Sequence, residues 1–251
     1  MCNYQDIIII IALAIIFYID YIYIDVITSI DDLSITTKDK ADINNYLQII
    51  SNIFDNHDIK YWIISGTLLG SVRHGDMVPW DDDADIGVLE SDINKILGLN
   101  EYLKTIGYEI AKSWRIHKFR KIGTEYPFVD IFCFIKEKNK YIMNHIDLIY
   151  EWPNEYYLED ELFPLKKYKF GNMYLYGPNY PLKHLDRMYS NWRIVGKQNT
   201  DHKTGKRTNI TIRLNISNPM HKLKPTLYVS SEADIKAEYD QHYNDKIITL
   251  N

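Results

Sequence analysis

The sequence predicts an α/β fold, in which a mixed β-sheet is flanked by helices. Two observations support this fold class. Apolar residues recur at helical spacing in two segments, 41–56 and 91–106. Between them, short apolar runs bounded by turn residues have the length and composition of strands. Helices and strands that alternate along a chain pack as layers around a core, so we expect one substantial domain.

The helical segments have recognisable ends. Apolar residues line one face of the first helix, and Ser91 opens a second helix that Gly107 closes. Pro181 starts a third helix. The apolar stripe of this third helix consists of Leu182, Leu185, Met188 and Trp192, and we expect it to pack in the core. A last helix is predicted over 231–243.

Strands are predicted near 60–65, 83–89, 114–120 and 127–135. The last strand is apolar on both faces, which is typical of a central strand in a covered sheet. It nevertheless contains Asp130, and burying a lone aspartate is costly. Asp130 therefore needs a partner: a cation shared with other acids, or an Arg or Lys that holds the core.

An anion site is predicted where the first strand ends. The apolar run from Tyr61 to Ile64 stops at Ser65-Gly66-Thr67, which indicates a tight turn into a helix. We expect the amides of residues 67–69 to point outward at the positive end of that helix, where anions bind. Gly66 and Gly70 lack side chains, so a phosphate can approach the backbone closely.

Basic residues accompany this turn. Arg73 and His74 follow at the far end of the short helix, where a guanidinium can bind phosphate oxygens in a fork. Lys118 and Arg120 alternate along the strand before Asp130 and can face an anionic donor. A solvated strand is the alternative explanation for that second pair.

The run Asp81-Asp82-Asp83-Ala84-Asp85 leads into the second strand. Side-chain alternation places Asp83 and Asp85 on one face, about 7 Å apart. Two carboxylates at that distance repel each other unless a cation lies between them, and oxygen ligands favour magnesium, manganese or calcium.

A calcium-binding EF-hand loop is the competing interpretation of these acids. Asp81, Asp83 and Asp85 match its first three ligand positions. Ile86 stands where that loop requires glycine, and Asp92 replaces its bidentate glutamate. Both departures disfavour the EF-hand.

The stretch GTLLGSVRHGDMVPWDDDADIGV closely resembles the signature of the LicD family, which has the nucleotidyltransferase fold. The family includes bacterial phosphocholine transferases, fukutin and fukutin-related protein. Further similarity is found in VDIF at 129–132, in LFPLKKYKFGN at 162–172 and in YSNW at 189–192, and it covers roughly residues 42–193. The sequence departs from the family pattern at Asp76, Cys133 and Ser190.

The resemblance implies a metal-dependent transferase that moves a phospho-alcohol, such as phosphocholine or ribitol phosphate, from a CDP-activated donor to a glycan hydroxyl. By position, Asp83 and Asp85 would hold Mg²⁺ or Mn²⁺, and Asp130 would complete this catalytic site. The candidate residues for binding the donor and its phosphates are Gly66, Thr67, Gly70, Arg73, His74, Lys118 and Arg120. Two alternatives stay open: a nucleotidyltransferase that adds a nucleoside monophosphate to its acceptor, and a catalytically silent glycan-binding protein.

Charge is unevenly placed along the 251 residues. The net charge of −5 comes from five aspartates in the first 37 residues, which contain no lysine or arginine. The remainder is neutral, so nothing indicates a nucleic-acid-binding surface. The two cysteines, Cys2 and Cys133, make an internal disulfide improbable.

The chain is divided into three predicted parts. Residues 1–37 form a hydrophobic leader, 38–196 the catalytic domain, and 197–251 a loop with a C-terminal helical extension. The run from Ile7 to Ile24 is apolar apart from Asp20 and is interpreted as an uncleaved signal-anchor. This predicts a membrane-associated, single-pass protein, and a buried or disordered leader is the alternative to the anchor. The flanks lack the basic residues that set orientation, so two locations of the catalytic domain stay open, the secretory lumen and the cytosol.

Overall fold

The computed structural model describes residues 35–215 together with His221 and Leu223. Within these residues, a seven-stranded mixed sheet is flanked by helices, as the sequence predicts. The strands of this sheet are β1 (Tyr61–Ile63), β2 (Ala84–Leu89), β3 (Tyr108–Ser113), β4 (Ile116–Lys121), β5 (Phe128–Glu137), β6 (Lys140–Met143) and β7 (Tyr156–Leu158). Two hairpins lie outside it, β8 (Lys166–Phe170) with β9 (Met173–Gly177), and β10 (Val195–Asp201) with β11 (Lys206–Arg213).

The helices lie between the strands. They are α1 (Thr37–Asn56), α2 (Ser65–His74), α3 (Ile93–Gly98), α4 (Asn100–Thr105), α5 (Ile146–Glu151), α6 (Glu159–Leu162) and α7 (Pro181–Met188), and a 3₁₀ turn covers Glu90–Asp92. The Thr36 hydroxyl caps α1 by accepting from the Asp39 amide at 3.0 Å. Gly75, in the left-handed conformation, ends α2.

The sheet has the order β1-β2-β5-β4-β3, and β6 pairs with β5 and β7. Only the β2–β5 pair is parallel among these ladders. Both faces of β5 are covered, as predicted for a central strand. Val129 and Ile131 pack into the core beneath α1, and Phe132 and Phe134 pack into a second core on the opposite face. Asp130 shares the face of Phe132, because side chains alternate along a strand.

Two predicted boundaries in the middle of the chain were wrong. The helix expected over 91–106 is divided into α3 and α4, which meet at Leu99. The strand expected from residue 114 begins at Ile116, because Trp114 occupies the turn of a hairpin that also contains the unpredicted β3. Gly107 does close the helical region, with a φ of 86°.

The loop predicted from residue 197 onward was also wrong over 197–213, where β10 and β11 form a hairpin. The segment is mostly polar, and this composition led to the prediction of a loop. The backbone of this hairpin is held by Trp80: its indole nitrogen donates to the Lys197 carbonyl at 3.1 Å, and Gln198 donates to the Trp80 carbonyl at 3.0 Å. The two strands are therefore stabilised by tertiary contacts that local sequence does not reveal. The boundary after residue 196 stays a prediction.

Two predictions concern residues outside the described part of the chain: the signal-anchor in the leader and the helix over 231–243. Both stay predictions. Among the helices that the structure describes, none combines the length and the apolar character that crossing a bilayer requires.

Candidate active site

Three predicted acids meet at the start of β2 and β5. Asp85 of β2 and Asp130 of β5 are partners in the parallel ladder, and Asp83 immediately precedes β2. One carboxylate oxygen from each of the three lies within 4.8 Å of the others. The alternation along β2 is as predicted, since Ala84, Ile86 and Val88 point into the core on the opposite face.

Burial and mutual repulsion raise the pKa values of these acids. The pKa of Asp85 lies well above its usual range because of burial and the charges of Asp83 and Asp130. Burial also raises the pKa of Asp83, against the effect of His202. Burial raises the pKa of Asp130 to about 7, although Lys118 acts in the opposite direction. The cluster thus holds more negative charge than its surroundings compensate.

The acids line a cavity of about 520 Å³. Ser65 and Gly66, at the start of α2, face the same cavity. Its apolar and aromatic lining is formed by Ile116, Phe132, Met143, Trp152, Met188, Tyr189 and Trp192. The first strand of the β10–β11 hairpin completes the wall through residues 197–200. A phosphate compound of moderate size can therefore reach both the carboxylates and the first turn of α2.

The amides of α2 that lack an acceptor within the helix are not those predicted, residues 67–69. Leu68 donates to the Ile64 carbonyl at 2.9 Å, so this amide already belongs to the helix and is not available to an anion. Because the helix begins at Ser65, the amides without an intrahelical acceptor are those of residues 65–67. Ile64, the N-cap, has no side-chain cap hydrogen bond.

Gly66, Thr67 and Gly70 have different surroundings. A Cβ on Gly66 would lie 2.3 Å from an Asp81 carboxylate oxygen, so glycine lets the acidic loop approach the helix. The Thr67 hydroxyl accepts from the Asp85 amide at 2.7 Å and thereby fixes β2. A Cβ on Gly70 would lie 2.6 Å from the Asp76 carbonyl. Gly70 thus serves packing against the loop after α2, and it is not among the residues lining the cavity.

Arg73 and His74 are buried. Arg73 Nη1 donates to the carbonyl oxygens of Trp192 at 2.6 Å and Val195 at 3.1 Å, and its Nε donates to His74 Nε2 at 2.8 Å. Arg73 borders the cavity, whereas His74 is not among the lining residues. The guanidinium joins α2 to the chain leading into β10. The predicted role of both residues in donor binding stays a prediction.

Lys118 and Arg120 separate in the structure. Lys118 Nζ lies 2.8 Å from Asp130 Oδ1, so the alternative partner predicted for Asp130, a basic residue, is present. Arg120 pairs with Glu109 and Glu125 instead, and it is not among the cavity-lining residues. Of the two, only Lys118 is placed beside the acids.

Two residues of the site, Asp81 and His202, were not predicted. Asp81 lies against Gly66, and its pKa is raised well above the usual range by burial and by Asp83 and Asp82. His202, in the turn of the β10–β11 hairpin, lies 2.7 Å from Asp82 Oδ1 and 3.4 Å from Asp83 Oδ2. Asp81 belongs to the acidic run and could have been included. No sequence pattern connects His202 to residues about 120 positions earlier.

The residues present fit a divalent cation. Asp130 Oδ1 is buried and, among the described residues, has no aligned hydrogen-bond donor, since the Lys118 ammonium approaches it as an ion pair only. Three carboxylates that repel one another offer hard oxygen ligands at close range. Asp82, Asp83 and His202 form a second group whose ligand atoms lie equally close together.

Comparisons with known proteins found one matching family model and several similar proteins. The model of the nucleotidyltransferase domain of LicD/FKTN/FKRP matches residues 58–180. The uncharacterized protein RT0683 of Rickettsia typhi is 35% identical over 219 residues, which are 83% of this chain and 68% of that protein. Human ribitol 5-phosphate transferase FKRP is 39% identical over 44 residues, 18% of this chain and 9% of that enzyme. The lincomycin-bound lincosamide adenylyltransferase LnuA shares 15% identity, with a TM-score of 0.38 over 62% of this chain and 98% of that chain.

Proposed function

Because this chain belongs to the LicD/FKTN/FKRP family of nucleotidyltransferase domains, we propose that it is a transferase of phospho-alcohol groups. The group moved is phosphocholine, ribitol phosphate or a similar unit, the donor is its CDP derivative, and the acceptor is a glycan hydroxyl. The observation that carries the proposal is the convergence of Asp83, Asp85 and Asp130 beside the first turn of α2. This places carboxylates and free backbone amides around one cavity, as chemistry on a phosphate requires.

In this proposal Asp83, Asp85 and Asp130 hold Mg²⁺ or Mn²⁺. When bound, such a cation neutralises charge on the transferring phosphate and lowers the pKa of a hydroxyl that it coordinates. The amides of Ser65 and Gly66, both of which line the cavity, bind the donor diphosphate. Lys118 limits the excess negative charge beside Asp130.

The bonds that change follow from the substrates. The acceptor oxygen forms a bond to the phosphorus that carries the alcohol, the bond from that phosphorus to the bridging oxygen breaks, and CMP leaves. Asp130 lies beside Asp85 at the cavity wall, so its carboxylate is placed to accept the hydroxyl proton.

A ligand and product screen tests the proposal. The purified chain is incubated with CDP-choline, CDP-ribitol, CDP-glycerol and nucleoside triphosphates, with and without Mg²⁺, and the melting temperature is followed. We expect stabilisation by a CDP-alcohol that requires Mg²⁺, and release of CMP when glycan acceptors are added. Release of pyrophosphate from a nucleoside triphosphate would instead establish nucleotidyl transfer. Binding of glycans without any nucleotide binding would establish a silent binding protein.

A further inference from the structure

We infer that Glu155, which lies outside the cavity, is a positioning residue that holds the first turn of α2 in place through Ser65. The inference rests on the proposed function in one respect, since the amides of that turn are assigned to the donor phosphates. Ser65 and Glu155 are 90 positions apart in sequence, and the Ser65 hydroxyl donates to Glu155 Oε2 at 3.2 Å.

The backbone of Ser65 is in a conformation that needs support. Its φ is 48°, in the left-handed region that residues other than glycine seldom adopt. The residue begins α2 and lines the cavity. The preceding Ile64 provides no side-chain cap. The direction of the first-turn amides therefore depends on the contacts that hold the Ser65 backbone in this conformation.

Glu155 is itself firmly held. Its side chain is fully buried, and the Tyr157 hydroxyl donates to Oε1 at 3.1 Å. His184 Nε2 lies 3.1 Å from the same oxygen, and the His184 ring stacks on Tyr157 with the ring centroids 4.0 Å apart. A buried carboxylate needs such partners. Glu155 thus connects a rigid aromatic cluster to the one strained residue that starts the phosphate-facing helix.

This arrangement excludes a direct role in chemistry. Glu155 is not among the residues lining the cavity, whereas Ser65 and Gly66 are. Glu155 therefore reaches the donor site in two ways: Oε2 accepts from the Ser65 hydroxyl, and its charge helps to raise the pKa of Asp85. Glu155→Gln removes the charge and keeps an oxygen for Ser65, so it separates the two. A double-mutant cycle between Ser65 and Glu155 measures the dependence that passes through the hydroxyl.

The test uses the full chain and two readouts, one of which does not require activity. The variants are Ser65→Ala, Glu155→Leu and their combination, together with Glu155→Gln, which keeps an oxygen for Ser65. The control is Tyr157→Phe, which removes a different hydrogen bond to Glu155. Hydrogen exchange of the Leu68 and Leu69 amides, followed by NMR, reports the order of the first turn. Calorimetry with CDP and Mg²⁺ reports donor affinity.

We expect Ser65→Ala and Glu155→Leu each to speed exchange and weaken CDP binding about tenfold, as for the loss of a hydrogen bond to a charged group. The double variant should be no worse than either single one, and Glu155→Gln and Tyr157→Phe should stay within threefold of the wild type. The inference would be overturned if the effects of the two single variants on CDP binding multiplied in the double variant. It would also be overturned if the Leu68 and Leu69 amides of Ser65→Ala exchanged at the wild-type rate. If the wild type fails to bind CDP, the proposed function fails, and the exchange rates still decide the role of Glu155.

Discussion

Asp85 and Asp130 face each other across the one parallel ladder of the described sheet, as direct Cα partners on β2 and β5. Asp83 and Lys118 complete their surroundings, with a carboxylate on one side and an ammonium 2.8 Å from Asp130 on the other. Two cations, Lys118 and His202, face five neighbouring acids, so the cluster is short of positive charge. The acids are Asp81, Asp82, Asp83, Asp85 and Asp130. Several consequences of that imbalance are measurable.

Replacing Asp85 by asparagine should separate stability from activity. In EDTA, we expect Asp85→Asn to raise the free energy of unfolding by on the order of 1 kcal/mol, because the amide replaces a carboxylate whose charge is disfavoured by burial and by Asp83 and Asp130. Transfer activity should fall about 100-fold or more. Thermal denaturation and a CMP-release assay measure the two effects.

The matched control for that substitution is Asp147→Asn, which removes an exposed carboxylate that pairs with Arg115. The free energy of unfolding and the transfer activity of this variant should stay close to those of the wild type, since exposed ion pairs contribute little to stability. An Asp85→Asn variant with full turnover would contradict the assignment of Asp85 to the metal.

The pKa of Asp130 predicts a pH dependence of stability without metal. Burial raises this pKa from 3.8 to about 7 in the folded state. Between these values the folded chain binds more protons than the unfolded chain, so the free energy of unfolding should fall as the pH rises from about 4 to about 7. Denaturant titrations in EDTA between about pH 4 and about pH 7 measure this free energy of unfolding. The Asp130→Asn variant should show a flatter profile, and parallel profiles would refute the prediction.

His202 should stabilise the hairpin only while it is protonated. Burial opposes its charge, but the hydrogen bond that its ring donates to Asp82 and the charges of Asp83 and Asp82 raise its pKa from 6.5 to about 9. Its contribution is therefore fully present below pH 6.5 and is lost as the pH rises through about 9. We expect the difference in melting temperature between the wild type and His202→Asn to shrink over that interval. A difference that is constant with pH would show that the charge of His202 is unimportant.

Gly70 should tolerate no side chain. The Cβ of Gly70→Ala would lie 2.6 Å from the Asp76 carbonyl and 2.9 Å from the Val78 amide, so we expect a loss of about 1–3 kcal/mol from overpacking. Gly98→Ala is the matched control, because no atom lies within 4 Å of its added Cβ. That variant should be neutral or slightly stabilised. Equilibrium unfolding in urea compares the two, and equal stabilities would mean that the loop after α2 moves freely.

Predictions from local patterns were the most reliable. The alternation that places Asp83 and Asp85 opposite Ala84, Ile86 and Val88 depends only on the two-residue period of a strand, and the structure shows it. The apolar run of β5 likewise indicated a strand covered on both faces. The β10–β11 hairpin was missed because its polar strands are held by Trp80, a residue more than 110 positions away.

The sequence by itself determined the acids, the turn before α2, and the kind of chemistry that those residue types serve. These features depend on residue identity and on the short periods of the backbone. Only the tertiary structure decided that Asp130 lies beside Asp85, that Lys118 pairs with it, that Arg120 does not face the cavity, and that Glu155 and His202 support the site. Such contacts depend on strand register and on packing between distant segments, and no local period of the sequence specifies either one.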